Sequence, residues 1–483
     1  MRDYVVDPVG WAFLVAVCFA PLFFGANVPL AWGLNAVMFS SILAALMIGL
    51  TVTRRPLPVP MSRLDVPLAA FSVVLAWIFL QAQSWFPGSL HHPAWLRAGS
   101  LVGAELDGTI SVNSGETLLG FLRLTTAVCV FLIAVQLGRD PAWARRILVA
   151  VAAAGAVHAI YALALAAMGP DLASVFLSPA LFKLEQGKGQ GVGSMLSGFF
   201  VNRNHLAIYL ALALVAAWGL FIKDLRRSLK DHGYHGGRET VAKLLHVGSD
   251  VGLYSLVVVP IAAALLLTTS RAALFLSLSA ILVVVVLEQT RSKSGNRYTS
   301  RIALGVAAVG LIIALTARGD LIGQRIAGSI VSTSEESRWA AAMIAWRAAM
   351  EKPLVGWGYG AFANVFPSYR DDSVAVSGTW LEAHNSYMEA MLGLGIPVAI
   401  VLWVGLGWIA WRCFKGAVTR RQDELAPQVA VGAFLIVSVH AFVDFSLQIQ
   451  GIALTFTAII GAGVAQSWST RAAQERNTAA RAA

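Results

Sequence analysis

Three side chains in this sequence have types and settings suited to a charged leaving group. His384 stands in "WLEAHNSYMEAMLGLGIP" (380 to 397), Arg271 in "LLLTTSRAALFLSL" and Arg338 in "STSEESRWAAA". A guanidinium stays charged at any working pH, and its planar fork meets phosphate oxygens two at a time, so paired arginines suit a diphosphate. His384 precedes a helical run whose amino end disfavours a protonated imidazole, which keeps it available as a base for a hydroxyl proton. The trio therefore fits displacement of a lipid diphosphate from a sugar: the arginines hold the leaving charge while the histidine takes the proton.

Neighbouring residues could extend such a site toward a glycan. Glu382, Asn385 and Tyr387 flank His384, and Asn202 and Asn204 open another run in "FFVNRNHLAIYL" (199 to 210), with Arg203 and His205 between and beside them. These polar groups could touch sugar, and the asparagines could equally cap a helix. His440 and Asp444 lie four apart in "VHAFVDFSLQIQ", where they could line the site or pair with each other. Asp371 and Asp372 lack the further oxygen ligands that a divalent ion needs, so no metal is expected. Glycines 356, 358 and 360 read as a flexible loop stretch without the strand and helix of a nucleotide loop, and no cofactor is expected.

The elements that must position these groups are apolar. The 483 residues are 57% hydrophobic and 13% charged, with a mean hydropathy of +0.70, which leaves too little polar surface for a soluble domain. The expected fold is an all-α polytopic membrane protein, because only a helix or a closed barrel pairs every backbone amide inside hydrocarbon. Cys18, Cys129 and Cys413 form no disulfide framework and no CxxC metal site. The segment from Trp11 to Phe24 reads as an uncleaved first helix, since no small-x-small cleavage site follows it.

Twelve apolar runs are expected as transmembrane helices, near 11 to 30, 32 to 50, 65 to 84, 117 to 136, 147 to 168, 198 to 222, 251 to 268, 272 to 287, 302 to 317, 386 to 411, 428 to 447 and 449 to 466. Basic linkers at 53 to 63, 138 to 146, 223 to 243, 290 to 301 and 412 to 422 fall on every second connection, which puts them and both termini in the cytoplasm. Most of the 36 Lys and Arg behind the net charge of +10 lie in such inward segments. The charge therefore reads as orientation, and nucleic acid is not an expected partner. Residues 1–317 would carry nine helices, 318–385 an outward loop, 386–466 three more helices and 467–483 an inward tail. Within the loop, Ser332 and Thr333 before Glu335 and Glu336 have capping-box spacing for an amphipathic helix. Its Trp339, Met343, Trp346 and Met350 would form an oily face, for packing or for resting on the membrane.

"TTSRAAL", "SRWAAAMIAWRAAMEKPLVGWGYGAF" and "EAHNSYMEAMLGLGIP", in that order, resemble the O-antigen ligase and polymerase superfamily of bacterial membrane glycosyltransferases. The resemblance is specific through 268 to 397 and diffuse elsewhere. It implies a GT-C-like, metal-independent, inverting enzyme of the bacterial inner membrane that takes a glycan from undecaprenyl diphosphate on the periplasmic side. By motif, Arg271 and Arg338 fall on the family's diphosphate arginines and His384 on its base. The acceptor would be a second lipid-linked repeat unit in a polymerase or lipid A core in a ligase, with polysaccharide assembly proteins as conceivable partners. Chain length and "FVNRNH" look more like exopolysaccharide polymerases. Two other classes compete: a flippase or other transporter, which would place charges near the bilayer midplane, and a noncatalytic scaffold.

Overall fold

A computed structural model of the chain describes residues 6–168, 196–200, 202–231, 250–289, 333–374, 380–420 and 422–469. All regular structure among the described residues is helical. The helices are α1 (Val6–Phe19), α2 (Pro29–Val52), α3 (Asp65–Gln81), α4 (Ala94–Val102), α5 (Ser114–Leu137), α6 (Pro141–Met168), α7 (Arg203–Asp231), α8 (Asp250–Leu267), α9 (Arg271–Gln289), α10 (Thr333–Glu351), the single turn α11 (Phe362–Val365), α12 (Ser386–Leu394), α13 (Ile396–Thr419), α14 (Leu425–His440) and α15 (Gln450–Ala465). Six of them, in α2, α5, α6, α7, α9 and α13, are long and apolar enough to cross a membrane, and five shorter apolar helices accompany them. The expected run at 302 to 317, Ser332 of the expected cap, the linker at 290 to 301, most of that at 223 to 243 and the tail from 470 lie outside the described residues.

Packing explains the apolar composition from both sides. The central helices α7 and α15 bury most of their residues; α15 packs against α5 and α14, and α7 against α6, α8, α9 and α14. Small residues let these helices approach closely: Gly461 faces Ala134, and Gly155 faces Ala213. On the outside the same bundle presents Val37 at 70% and Phe275 at 69% exposure, a surface that needs hydrocarbon as its solvent.

Arginines tie together one end of the bundle. There Arg139 and Arg420 donate to the Trp468 carbonyl at 3.0 and 2.6 Å, Arg412 donates to the Ser467 carbonyl at 2.6 Å, and the Arg63 and Arg412 guanidiniums lie over the Trp468 ring. These cations satisfy carbonyls left orphaned past the end of α15. His384 and Asp444 lie at the opposite end, beside the starts of α12 and α15.

Three expected elements differ from the sequence reading; one is the run at 428 to 447, which is helical only as far as His440. The run at 11 to 30 is helical only to Phe19; short 3₁₀ turns and Gly25, at φ 67°, then carry the chain to α2. The run at 386 to 411 is broken at Gly395, at φ 79°, into α12 and α13. A side chain there would be strained twice over, because its Cβ would stand 2.5 Å from the Leu354 carbonyl oxygen.

Candidate functional site

The break at Gly395 frees the last carbonyls of α12, and neighbouring segments pick them up. Trp357 and Gly358 donate their amides to Leu392 and Gly393 at 2.9 and 3.1 Å, and the Trp77 indole donates to the Leu394 carbonyl at 2.9 Å. Gln81, fully buried, donates to Val355 and Gly393 and accepts from the Tyr359 amide. The "GWGYG" stretch, expected to be flexible, is thus bonded onto α12 and α3. Its glycines are needed for close approach: a Cβ on Gly356 would stand 2.4 Å from the Gly393 carbonyl oxygen. This seat fixes α12 and hence the residues that precede it.

His384 sits in the left-handed region at φ 52°, uncommon for a non-glycine residue and maintained only by strong surroundings. Those surroundings are clear on both sides. Before it, the Ala383 amide donates to Glu389 Oε2 at 2.9 Å. After it, Asn385 caps α12, accepting from the Tyr387 and Met388 amides at 3.1 Å and donating to the Phe442 carbonyl at 3.0 Å. The Ser386 amide donates to the Ala441 carbonyl at 2.8 Å. The imidazole is wedged between Trp380 and Phe445 in edge contacts.

Asp444, 1% exposed, is the hub of the site. His384 Nδ1 lies 3.2 Å from its Oδ1; a carboxylate only accepts, so Nδ1 donates and the Nε2 lone pair of a neutral ring is left for chemistry. The Phe445 amide also donates to Oδ1, at 2.9 Å, and Asn204 donates to Oδ2 at 3.5 Å. His205 Nε2 lies 4.0 Å from Oδ1. Burial pushes the Asp444 carboxyl up, but the His384 bond and the charges of the three nearby histidines together hold it below the usual range. Asp444 does not pair with His440 in the way their spacing allowed, since His440 Nδ1 meets Ser446 Oγ at 2.9 Å.

Arg338, half-buried near the start of α10, is close enough for its charge to act on His205 and His440. Arg271 opens α9 and is exposed. It follows Thr269, whose hydroxyl accepts from Arg203 at 2.9 Å, so it stands on the rim next to the start of α7. Asn202 accepts from the Asn204 amide at 2.8 Å and so turns the chain into α7. His384 and Asn204 therefore meet at Asp444, Arg338 lies within reach of His205 and His440, and Arg271 and Asn202 stand at the starts of α9 and α7. Of the two placements expected for the oily face of α10, packing is not the one seen: Ala341, Ile344, Ala345 and Ala348 are buried, whereas Trp339, Met343 and Met350 face outward.

Of the remaining candidates, Tyr387 donates its hydroxyl to the Ser438 carbonyl at 2.9 Å. Burial and the adjacent Glu389 carboxylate push the Glu382 carboxyl well above its ordinary value. One residue that sequence reasoning passed over stands close by. Arg123 of α5 donates to the Gln448 carbonyl at 3.3 Å and lies over the Trp32 ring. The signal was there, a single cation inside an apolar run.

Residues 256–404 match the family model described as O-antigen ligase. This supports the O-antigen ligase and polymerase superfamily, and with it glycan transfer of the ligase or polymerase type by a bacterial membrane protein. No curated protein matches the chain. His384, Arg338 and Arg271 fall inside the matched segment; Asp444, His205 and Arg123 fall outside it.

Proposed function

We propose that this protein, carrying an O-antigen ligase segment, transfers a glycan from undecaprenyl diphosphate to an acceptor hydroxyl on the periplasmic side of the inner membrane. Polymerisation of repeat units is the favoured form of that transfer, and ligation to lipid A core is the alternative. The observation that carries the reading is the hydrogen bond from His384 Nδ1 to buried Asp444, with the Arg338 charge close by.

Asp444 fixes the His384 tautomer and stabilises the imidazolium formed when Nε2 takes the acceptor's hydroxyl proton. The acceptor oxygen attacks the anomeric carbon, the bond from that carbon to the diphosphate oxygen breaks, and the electron pair leaves with the diphosphate. Attack opposite the leaving group inverts the anomeric centre. Arg338 and Arg271 supply the positive charge that the departing diphosphate requires, so the step as proposed is metal-independent. A positioned base contributes ~10²–10⁴-fold in rate, and one donor to a developing anion contributes about 3 kcal/mol. Glu389 and Asn385 act through the backbone on either side of His384, as positioning residues. A transporter would place its ionisable groups along a path through the midplane, whereas His384, Asp444 and Arg338 gather at one end.

The test uses purified protein in detergent with lipid-linked repeat units. The unaltered chain should lengthen them in the absence of any second compartment. His384→Ala, folded and membrane-inserted, should make no product. Full activity in that variant would remove the assignment, and a product formed only with lipid A core present would replace polymerase by ligase.

A further inference from the structure

Four guanidiniums converge on Trp468, just past the end of α15. Arg63 comes from the short turn before α3, Arg139 from the connection between α5 and α6, Arg412 from α13, and Arg420 from the position that caps α13. Arg139 and Arg420 hold the Trp468 carbonyl, while the Arg63 and Arg412 guanidiniums stand 5.4 and 4.7 Å from the centre of its ring. Orphaned carbonyls explain a cation or two at this place, because a helix C-terminus carries only about half a negative charge. They do not explain four. Burial and the charges of Arg63 and Arg420 hold the Arg139 guanidinium below its ordinary value, and among the described residues no carboxylate opposes them. Arg412 Nε is buried and has no partner among the described residues. Asp423 answers one of the charges, 3.6 Å from Arg420 Nη2. The sequence that follows, 471–483, holds three arginines and one glutamate, so it adds more positive charge than negative.

We infer that this arginine cradle seats the phosphate of an anionic phospholipid from the leaflet at its own end of the bundle, away from His384. Guanidiniums meet phosphate oxygens in pairs, and an anion shared among them offsets their mutual repulsion. The apolar half of the seat lies on α13. Trp411, Phe414 and Val418 are exposed and recur with Lys415 at helical spacing, so the helix that carries Arg412 turns one face to hydrocarbon. Lys415 Nζ lies 5.1 Å from the centre of the Trp411 ring, and a tryptophan beside a cation marks the depth at which headgroups lie. A phosphate held by Arg412 would leave its acyl chains along that face. Free phosphate can meet the same guanidiniums but gains nothing from the apolar surface next to them. The arginines belong to separate segments, so one lipid would tie the ends of α5, α13 and α15 to the start of α3.

The experiment is native mass spectrometry of the full chain, stripped of lipid in detergent and titrated with phosphatidylglycerol or with phosphatidylethanolamine of the same acyl chains. The unaltered protein should hold one phosphatidylglycerol about tenfold more tightly than phosphatidylethanolamine, and millimolar inorganic phosphate should not displace it. Arg63→Gln and Arg412→Gln should each weaken phosphatidylglycerol about fivefold, the worth of one cation beside an anionic lipid, and leave phosphatidylethanolamine unchanged. Arg54→Gln, exposed on the same basic linker as Arg63, should change neither. The comparison of the two lipids on the unaltered chain needs no variant, so a substitution that folds poorly leaves the test standing. Equal retention of both lipids, or undiminished phosphatidylglycerol in both cradle variants, would overturn the seat. An equal loss from Arg54→Gln would overturn it too, by showing a diffuse basic surface. Displacement by millimolar inorganic phosphate would overturn the lipid and make free phosphate the ligand.

Discussion

Replacing Asp444 by Asn separates the charge of the His384 partner from its shape. Two donors converge on Oδ1, His384 Nδ1 at 3.2 Å and the Phe445 amide at 2.9 Å, so the amide oxygen of the substituted side chain would occupy that place and still accept from both. The histidine tautomer survives, and the lost quantity is the attraction between carboxylate and imidazolium. At this separation the attraction is about 5 kcal/mol in gross terms at an effective dielectric of 20. Because a charged hydrogen bond exceeds a neutral one by only about 1–2 kcal/mol net, the expected loss in kcat is roughly 10-fold to 30-fold. Asp444→Ala removes acceptor and anchor together; it should cost ~10³-fold in rate and also destabilise the fold, since it leaves buried donors unpaired. The assay is chain lengthening of lipid-linked repeat units by both variants, with thermal unfolding as the check on folding. If the Asn and Ala variants prove equally active, and within a factor of about three of the unaltered protein, Asp444 does not orient the base.

Other perturbations test separate parts of the structure. Arg338→Gln should lower kcat/KM for the donor by ~10-fold to 100-fold, as expected for loss of a charge-assisted contact, with Lys recovering part of it; unchanged kinetics would remove Arg338 from the diphosphate. Gly395→Ala should destabilise by about 2 kcal/mol or more, because it forces a Cβ into φ 79° against the Leu354 carbonyl; a melting temperature equal to that of the parent would show that the break relaxes freely. Glu382 has a folded-state value raised above its ordinary 4.5. The stability linked to its proton is therefore complete below about pH 4.5 and is lost as pH rises through the folded value. Glu382→Gln should accordingly match the parent in melting temperature at pH 4 and exceed it at pH 8, and parallel curves across that range would contradict the raised carboxyl value.

The helices were legible because bilayer-crossing segments must be uniformly apolar, and most of the described ones begin and end within a few residues of the apolar runs. The breaks were not. Gly395 and Gly25 sit inside runs read as continuous, although Pro397 and Pro29 in the first turn of each following helix mark the restarts. His384 and Arg338 stood out by type and setting. Asp444 could be placed near them but not matched to its partner: four-residue spacing offers His440 only while the helix continues, and α14 ends at His440. Arg123 escaped notice because one charge barely dents the hydropathy of a 24-residue helix. The sequence left open whether Trp339 and Met343 pack inward; they face outward, since alanines, by virtue of being small, form the close-packed side of α10.

Asp444 receives His384 from the matched segment and Asn204 from a helix more than 200 residues away in the chain. The chemistry proposed for His384 is consequently not a transplantable module. A hybrid that borrows only 256–404 from a relative would import a histidine whose counter-ion belongs to the host. Exchange of specificity between relatives should succeed only when the asparagine-bearing helix start and the aspartate turn travel together with the histidine loop.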